Sequence, residues 1–172
     1  MPLEVNWPFP NFKRSHRLWN ICSAVVIPIV GATSKIWLSW LNKVRVHNFK
    51  SLIHEIENRP EGQPLVTICN HHSCYDDPGL WGLLHWRILF RSNIIRWSGA
   101  ASDVIFLNNF LAKFFAMGQT VPIVRGDGVY ERSIEFLIQR LNEGKWVHFF
   151  PEGRVNLEKK KFLRLKWGLY HI

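Results

Sequence analysis

Apolar positions along this chain fall into runs of two kinds, and the alternation between them carries most of the fold prediction. The segment 18–41, LWNICSAVVIPIVGATSKIWLSWL, looks at first like a membrane span. At ~1.5 Å per helical residue it is long enough to cross a ~30 Å hydrocarbon core. Pro28 and Gly31 weaken its middle, and Thr33, Ser34 and Lys35 follow, so an interfacial or re-entrant anchor is expected rather than a span. A cleavable signal is the competing reading, because Lys13, Arg14 and Arg17 precede the run, but no small-residue cleavage site follows promptly.

From Lys43 the pattern becomes that of a globular domain. Spacing predicts an amphipathic helix over 49–57, a PEGQP turn, and an apolar strand over 65–69. Asp76-Asp77-Pro78 reads as a helix start, with Asp as cap and Pro in the first turn, leading into 80–86. Further strands are expected at 94–97, 121–124 and 146–150, and further helices at 104–117 and around Ile134, Leu137, Ile138 and Leu141, the last stopped by Gly144. Strands alternating with helices imply a three-layer α/β domain around a central, mostly parallel sheet. Residues 162–172 look like a helix just begun. A sheet of about four strands would leave the outer edge of its last strand uncovered, which points to a truncated or isoform chain.

Composition narrows the partner. The 172 residues are 47% apolar and 14% aromatic, ample for one core. Lys and Arg number 22 against 13 Asp and Glu, a formal charge of +9 that favours an anionic partner. Nine tryptophans favour a lipid surface over nucleic acid, since the indole suits a membrane–water boundary. Trp19, Ile21, Val25, Val26, Ile27, Ile29, Val30, Trp37 and Trp40 are the candidate membrane contacts. The three cysteines, Cys22, Cys69 and Cys74, make no CxxC pair and are read as free thiols.

Candidate chemistry concentrates in CNHHSCYDDP, residues 69–78. His71 and Asp76, five apart, converge if the His ends a strand and the Asp opens a helix. The carboxylate would then fix the imidazole tautomer while the other ring nitrogen takes a proton. His72 and Asp77 have the same spacing, and His71-His72 with Asp76 also matches the HHxxxD core of unrelated soluble acyltransferases. Cys69, His71, His72, Cys74 and an Asp could alternatively cage zinc, although zinc sites usually draw spaced pairs from two segments. His47, His54, His85 and His148 are read as surface or satisfied core histidines. Two further strand ends carry Arg125-Gly126 and Phe150-Pro151-Glu152-Gly153-Arg154. Ligands of open α/β sheets bind beyond such ends, where arginine forks hold phosphate and glycines let backbone approach.

With those residues in view, the sequence resembles the glycerolipid acyltransferases, whose first motif is His-x4-Asp. Asn70-His71-His72-Ser73-Cys74-Tyr75-Asp76 matches it, with Asn70 and Ser73 setting the register. The resemblance implies catalytic roles for His71 and Asp76, and glycerophosphate contacts at Arg125 and at Phe150 to Gly153. Arg154-Val155-Asn156 departs from the Ser that ends the third motif in many relatives, and the family's fourth motif is missing. A narrower resemblance to one group in the family rests on MPLEVNWPFP, NHHSCYDDP, RWSGAASD, VPIVRG, WVHFFPEG and FLRLKWG. It implies CoA-independent transfer of an acyl chain from a phospholipid such as phosphatidylcholine to a lysophospholipid, notably monolysocardiolipin, at mitochondrial membranes. No cofactor or metal is implied. The expected division is a membrane-associating segment, 1–42, and an acyltransferase domain, 43–172. A CoA-dependent acyltransferase and a non-catalytic membrane-binding chain are the alternatives. The tail 158–167 mixes cations with apolar residues, as either a lipid-facing or a solvated helix would.

Overall fold

A computed structural model of the chain describes residues 7–12, 16–126, 128, 130–158, 161 and 163–166. Four short strands, β1 (Leu65–Ile68), β2 (Trp97–Ala101), β3 (Thr120–Ile123) and β4 (Trp146–Phe149), form one sheet in the order β1-β4-β2-β3. All pairings are parallel. The described helices are α1 (Arg17–Trp40), α2 (Phe49–Asn58), α3 (Asp76–Leu83), α4 (Trp86–Leu89), α5 (Ser102–Ile105), α6 (Asn109–Met117) and α7 (Arg132–Asn142).

Successive residues of a strand point to opposite faces, and β4 shows what that builds. Trp146 is buried in a core with Ile27, Ile53, Ile56, Trp81, Leu84, Ile88 and Leu89, from α1 to α4. Its neighbour Val147 is buried on the other face with Phe9, Trp97, Val121, Leu137 and Leu141, under α7. This is the expected three-layer α/β architecture. The last strand, however, is not at an edge: β4 pairs with β1 on one side and β2 on the other. The edges are β1 and β3, and Val66 and Ile68 of β1 are exposed.

Three local expectations differ from what forms. The strand expected at 94–97 starts at Trp97, preceded by a 3-10 turn at Ser92–Ile94. Its small residues SGAA carry no apolar signal, but two neighbours hydrogen-bond it, and a Cβ on Gly99 would stand 2.8 Å from Ile123. The helix expected over 104–117 is broken, because Asn108 accepts from the Leu111 amide (2.9 Å) and so caps a new start. Residues 163–166 are not helical, and 167–172 lie outside the described residues.

α1 is the largest departure. It runs unbroken through Pro28 and Gly31, long and apolar enough to cross a membrane, yet it is docked along the domain. Ser23, Ile27, Pro28, Gly31 and Ser34 form its buried face. The Lys35 ammonium donates to the Gly82 and Leu84 carbonyls at 2.9 Å each, satisfying the C-terminal end of α3. Tertiary packing therefore holds a helix that local propensity alone would interrupt. Ile27 cannot be a membrane contact, since it is fully buried in the core. Val30 packs against that core, Trp19 packs on Phe9 at 5.8 Å, and Val26 lines a partly open pocket of about 70 Å³. Ile21, Val25, Ile29, Trp37 and Trp40 are exposed, as are Leu18, Ile36 and Leu41. Trp7, Phe9 and Phe12 also pack beneath α7, so the division expected at residue 42 cuts through chain that shares both cores.

A close approach of backbone to backbone in this packing is at Gly82, where a Cβ would meet Ser34 backbone atoms at 2.8 and 2.9 Å. Gly82→Ala is expected to destabilise the chain by about 1–3 kcal/mol through overpacking. Urea unfolding measures it, and an unchanged midpoint would contradict this account of α1.

Candidate active site

In a parallel sheet all carboxyl ends lie along one edge. Ile68 pairs with Phe149, and the Cys69 amide extends the ladder to the Phe149 carbonyl (3.2 Å). The loop after β1 and the loop after β4 therefore leave the sheet side by side. Asp76 opens α3 and turns back on the first loop: its Oδ2 accepts from the His72 amide (2.7 Å) and the Ser73 amide (2.9 Å). The same oxygen lies 3.0 Å from His71 Nδ1. An ionised carboxylate only accepts, so Nδ1 carries the hydrogen and Nε2 is left as a base. Of the two registers open in the sequence, the geometry brings together His71 with Asp76.

The second loop surrounds the same histidine. The Phe150 ring stacks on His71 at 4.2 Å. Glu152, 3% exposed, accepts from the His71 amide through Oε1 (3.3 Å), and the Asn156 amide donates to the His71 carbonyl (2.6 Å). Ser73 accepts from the Tyr75 amide through its hydroxyl (3.1 Å), closing the turn into α3. Asn70 is exposed at the end of β1, Pro151 is buried, and Gly153 turns the chain at φ 66° before the exposed Arg154.

Arg125 and Gly126 follow β3, three strands from β1 and about 14 Å across the sheet at ~4.8 Å per strand. Arg125 is exposed and faces Asp103 at 3.3 Å, and Gly126 takes φ 95° with open space around it. The fold thus gathers His71, Asp76, Phe150 and Glu152, and leaves Arg125 at the far end of the same edge.

Beneath the loops lies a polar layer that the sequence did not disclose. Asp77, whose spacing from His72 left a second register open, instead pairs with Arg96 at 2.5 Å and accepts from the Ser98 hydroxyl (3.0 Å). Arg96 is 2% exposed and lies over the Trp81 ring at 4.6 Å. Burial lowers its pKa and the Asp77 carboxylate opposes that shift. A lone arginine inside the apolar run IIRW was the available signal. Asn156 had none.

His148 is a satisfied core histidine. Its Nδ1 meets the Thr67 hydroxyl at 2.7 Å, which also accepts from the Trp146 indole (2.7 Å), and its Nε2 lies 3.3 Å from Cys69 Sγ. Burial, then the nearby Arg96 charge, lowers its pKa to about 4. Burial, then the carboxylates of Asp76, Asp77 and Glu152, pushes the Cys69 thiol up to about 12, so it has no thiolate to offer as a nucleophile. The ligands of the zinc reading do not converge. Cys69 faces His148, His71 faces Asp76, and Cys74 is exposed. Among the described residues no three His, Cys, Asp or Glu side chains are grouped to hold an ion.

Residues 50–172 match the family model described as Acyltransferase. The chain belongs to the acyltransferase family. It is 46% identical to tafazzin of Drosophila melanogaster over its whole length, and 43% identical to a Dictyostelium discoideum protein named taffazin over 84% of it. It is 39% identical over 90% of its length to N-acylphosphatidylethanolamine synthase of Arabidopsis thaliana. The chain spans about half the length of these curated relatives: the matched regions cover 45%, 50% and 55% of them.

Two outcomes follow for this polar layer. Asp77→Ala leaves a buried guanidinium uncompensated and is expected to cost about 3–5 kcal/mol in denaturant unfolding. The lowered folded pKa of His148 means that the unfolded chain takes up a proton first as pH falls. The stability from its neutral burial is complete above pH ~6.5 and is lost between there and about pH 4. The stability difference between wild type and His148→Asn should shrink by about 3 kcal/mol across that window.

Proposed function

We propose that this chain carries the acid–base centre of a CoA-independent transacylase, which moves an acyl chain from a phospholipid such as phosphatidylcholine to a lysophospholipid. Monolysocardiolipin is the acceptor, and cardiolipin the product. The observation that carries the reading is the His71 Nδ1 contact with an Asp76 carboxylate held by two backbone amides, which leaves Nε2 available. The relatives named tafazzin support the same reading at the level of family.

In this mechanism His71 Nε2 takes the proton from the free glycerol hydroxyl of the acceptor, whose oxygen attacks the donor's ester carbonyl. The tetrahedral oxyanion collapses, the carbon–oxygen bond to the donor glycerol breaks, and Nε2 returns the proton to that departing oxygen. Nucleophile and leaving group are the same kind of alcohol, so one histidine serves as base and then acid, and the reaction runs in either direction. Asp76 stabilises the imidazolium between the two steps. Arg154, beside the histidine's loop, and Arg125, farther along the edge, offer forks to lipid phosphates.

Membrane seating is proposed through α1. Its exposed residues Leu18, Ile21, Val25, Ile29, Ile36 and Trp40 recur every three, four or seven positions, forming an apolar stripe opposite the docked face. An excess of cations, net +9, suits an anionic lipid surface. Residence at the outer and inner mitochondrial membranes, facing the intermembrane space, belongs to the same proposal.

Incubating the chain with labelled phosphatidylcholine and monolysocardiolipin should give labelled cardiolipin without CoA. His71→Ala should lower the rate by about 10²–10⁴-fold while leaving vesicle binding unchanged. Transfer retained in that variant refutes the assignment. Dependence on added acyl-CoA favours the CoA-dependent class, and vesicle binding without transfer favours a non-catalytic membrane protein.

A further inference from the structure

We propose that Glu152 is a positioning residue for His71, acting through the histidine's backbone rather than through the lipid. The inference rests on the reading of His71 as the base. It departs from the glycerophosphate contact that family resemblance implies for Glu152.

The carboxylate is poorly suited to that contact. It is 3% exposed, its Oε2 is buried without a partner, and a carboxylate has no donor to offer a phosphate. What it does touch is the His71 amide, through Oε1 at 3.3 Å. The other end of the same residue is held as well: the Asn156 amide donates to the His71 carbonyl (2.6 Å). Asn156 is itself 3% exposed and anchored by its side-chain amide to the Lys161 carbonyl (2.7 Å). Phe150 covers one ring face. Glu152, Asn156 and Phe150 all lie within seven residues after β4, so a single loop fixes the amide, the carbonyl and the ring plane of a histidine on the neighbouring strand's loop. Asp76 adds the fourth restraint, at Nδ1.

Proton transfer needs Nε2 within ~2.6–3.2 Å of the acceptor hydroxyl, and a 1 Å misplacement can cost ~10²-fold in rate. Releasing the His71 amide frees the backbone that aims the ring. Substrate affinity, set elsewhere, should hardly change.

The test uses the whole chain with Glu152→Ala and Glu152→Gln, the latter keeping an acceptor oxygen. In the lipid transfer assay, Glu152→Ala should lower kcat about 10- to 100-fold with KM within about twofold, and Glu152→Gln should restore most of kcat. A raised KM at unchanged kcat overturns the proposal and returns Glu152 to substrate contact. So does a Gln variant as impaired as the Ala variant. A second measurement needs no turnover: histidine-ring ¹⁵N–¹H spectra should show His71 as the Nδ1–H tautomer in wild type and Glu152→Gln, and as a tautomer mixture in Glu152→Ala. An unshifted His71 ring in a folded Glu152→Ala chain also overturns it. His71→Ala run alongside separates the two ideas, because retained transfer there defeats the base assignment, whereas loss there with an unshifted ring in Glu152→Ala defeats only this inference.

Discussion

The parallel pairing of β1 with β4 is the constraint on which the candidate site depends. These strands lie about 80 positions apart in the chain, and their register places Ile68 beside Phe149 at the sheet's carboxyl edge. Side-chain direction alternates along both strands, so the residues that meet at this seam are decided by that register alone. A one-residue slip would take Phe150 off the His71 ring and move the Glu152 carboxylate away from the His71 amide. The geometry around His71 is therefore a property of strand pairing rather than of the decapeptide that carries the histidine.

Below that seam the protein tolerates an unusual amount of buried polarity. Arg96 with Asp77, and Thr67 with Trp146 and His148, occupy the layer between the loops and the apolar core. Burying charge costs several kcal/mol per ion before pairing offsets it, so such a layer is a poor device for stability alone. Its geometric consequence is clearer. Asp77 is tied to β2 through Arg96 and Ser98, which fixes the first turn of α3, and the adjacent Asp76 is thereby aimed at the loop amides and His71. Docking of α1 against α3 through Gly82 and Lys35 supports the same helix from outside.

Much of this was legible locally. The amphipathic helices at α2 and α7 and the apolar runs at β1, β3 and β4 follow from spacing, and α3 opens at Asp76-Asp77-Pro78 as expected, although its N-cap is Tyr75 and no Asp side chain caps it. Gly144 at φ 73° ends α7 as its position suggested. Where local reading failed, a partner remote in sequence had decided the outcome. β2 is a strand because two neighbours pair with its small residues, and α1 stays helical across Pro28 because a small-residue face packs on α3. Ile27 is core rather than lipid contact for the same reason.

By itself the sequence determined the alternation of helices and strands, the net positive charge and high aromatic content of the chain, and the presence of His71 and Asp76 at a spacing able to converge. These depend on periodicity and residue chemistry within a dozen positions. Only the tertiary structure decided that β4 sits between β1 and β2, that Asp76 rather than Asp77 faces the histidine, that Arg96 claims Asp77, and that Glu152 and Asn156 hold the His71 backbone. Apart from the Asp76 contact, which spans five residues but depends on how the loop leaves β1, these join segments separated by about 20 to 85 residues, and no local pattern encodes which of several compatible polar groups will be neighbours once the sheet has closed.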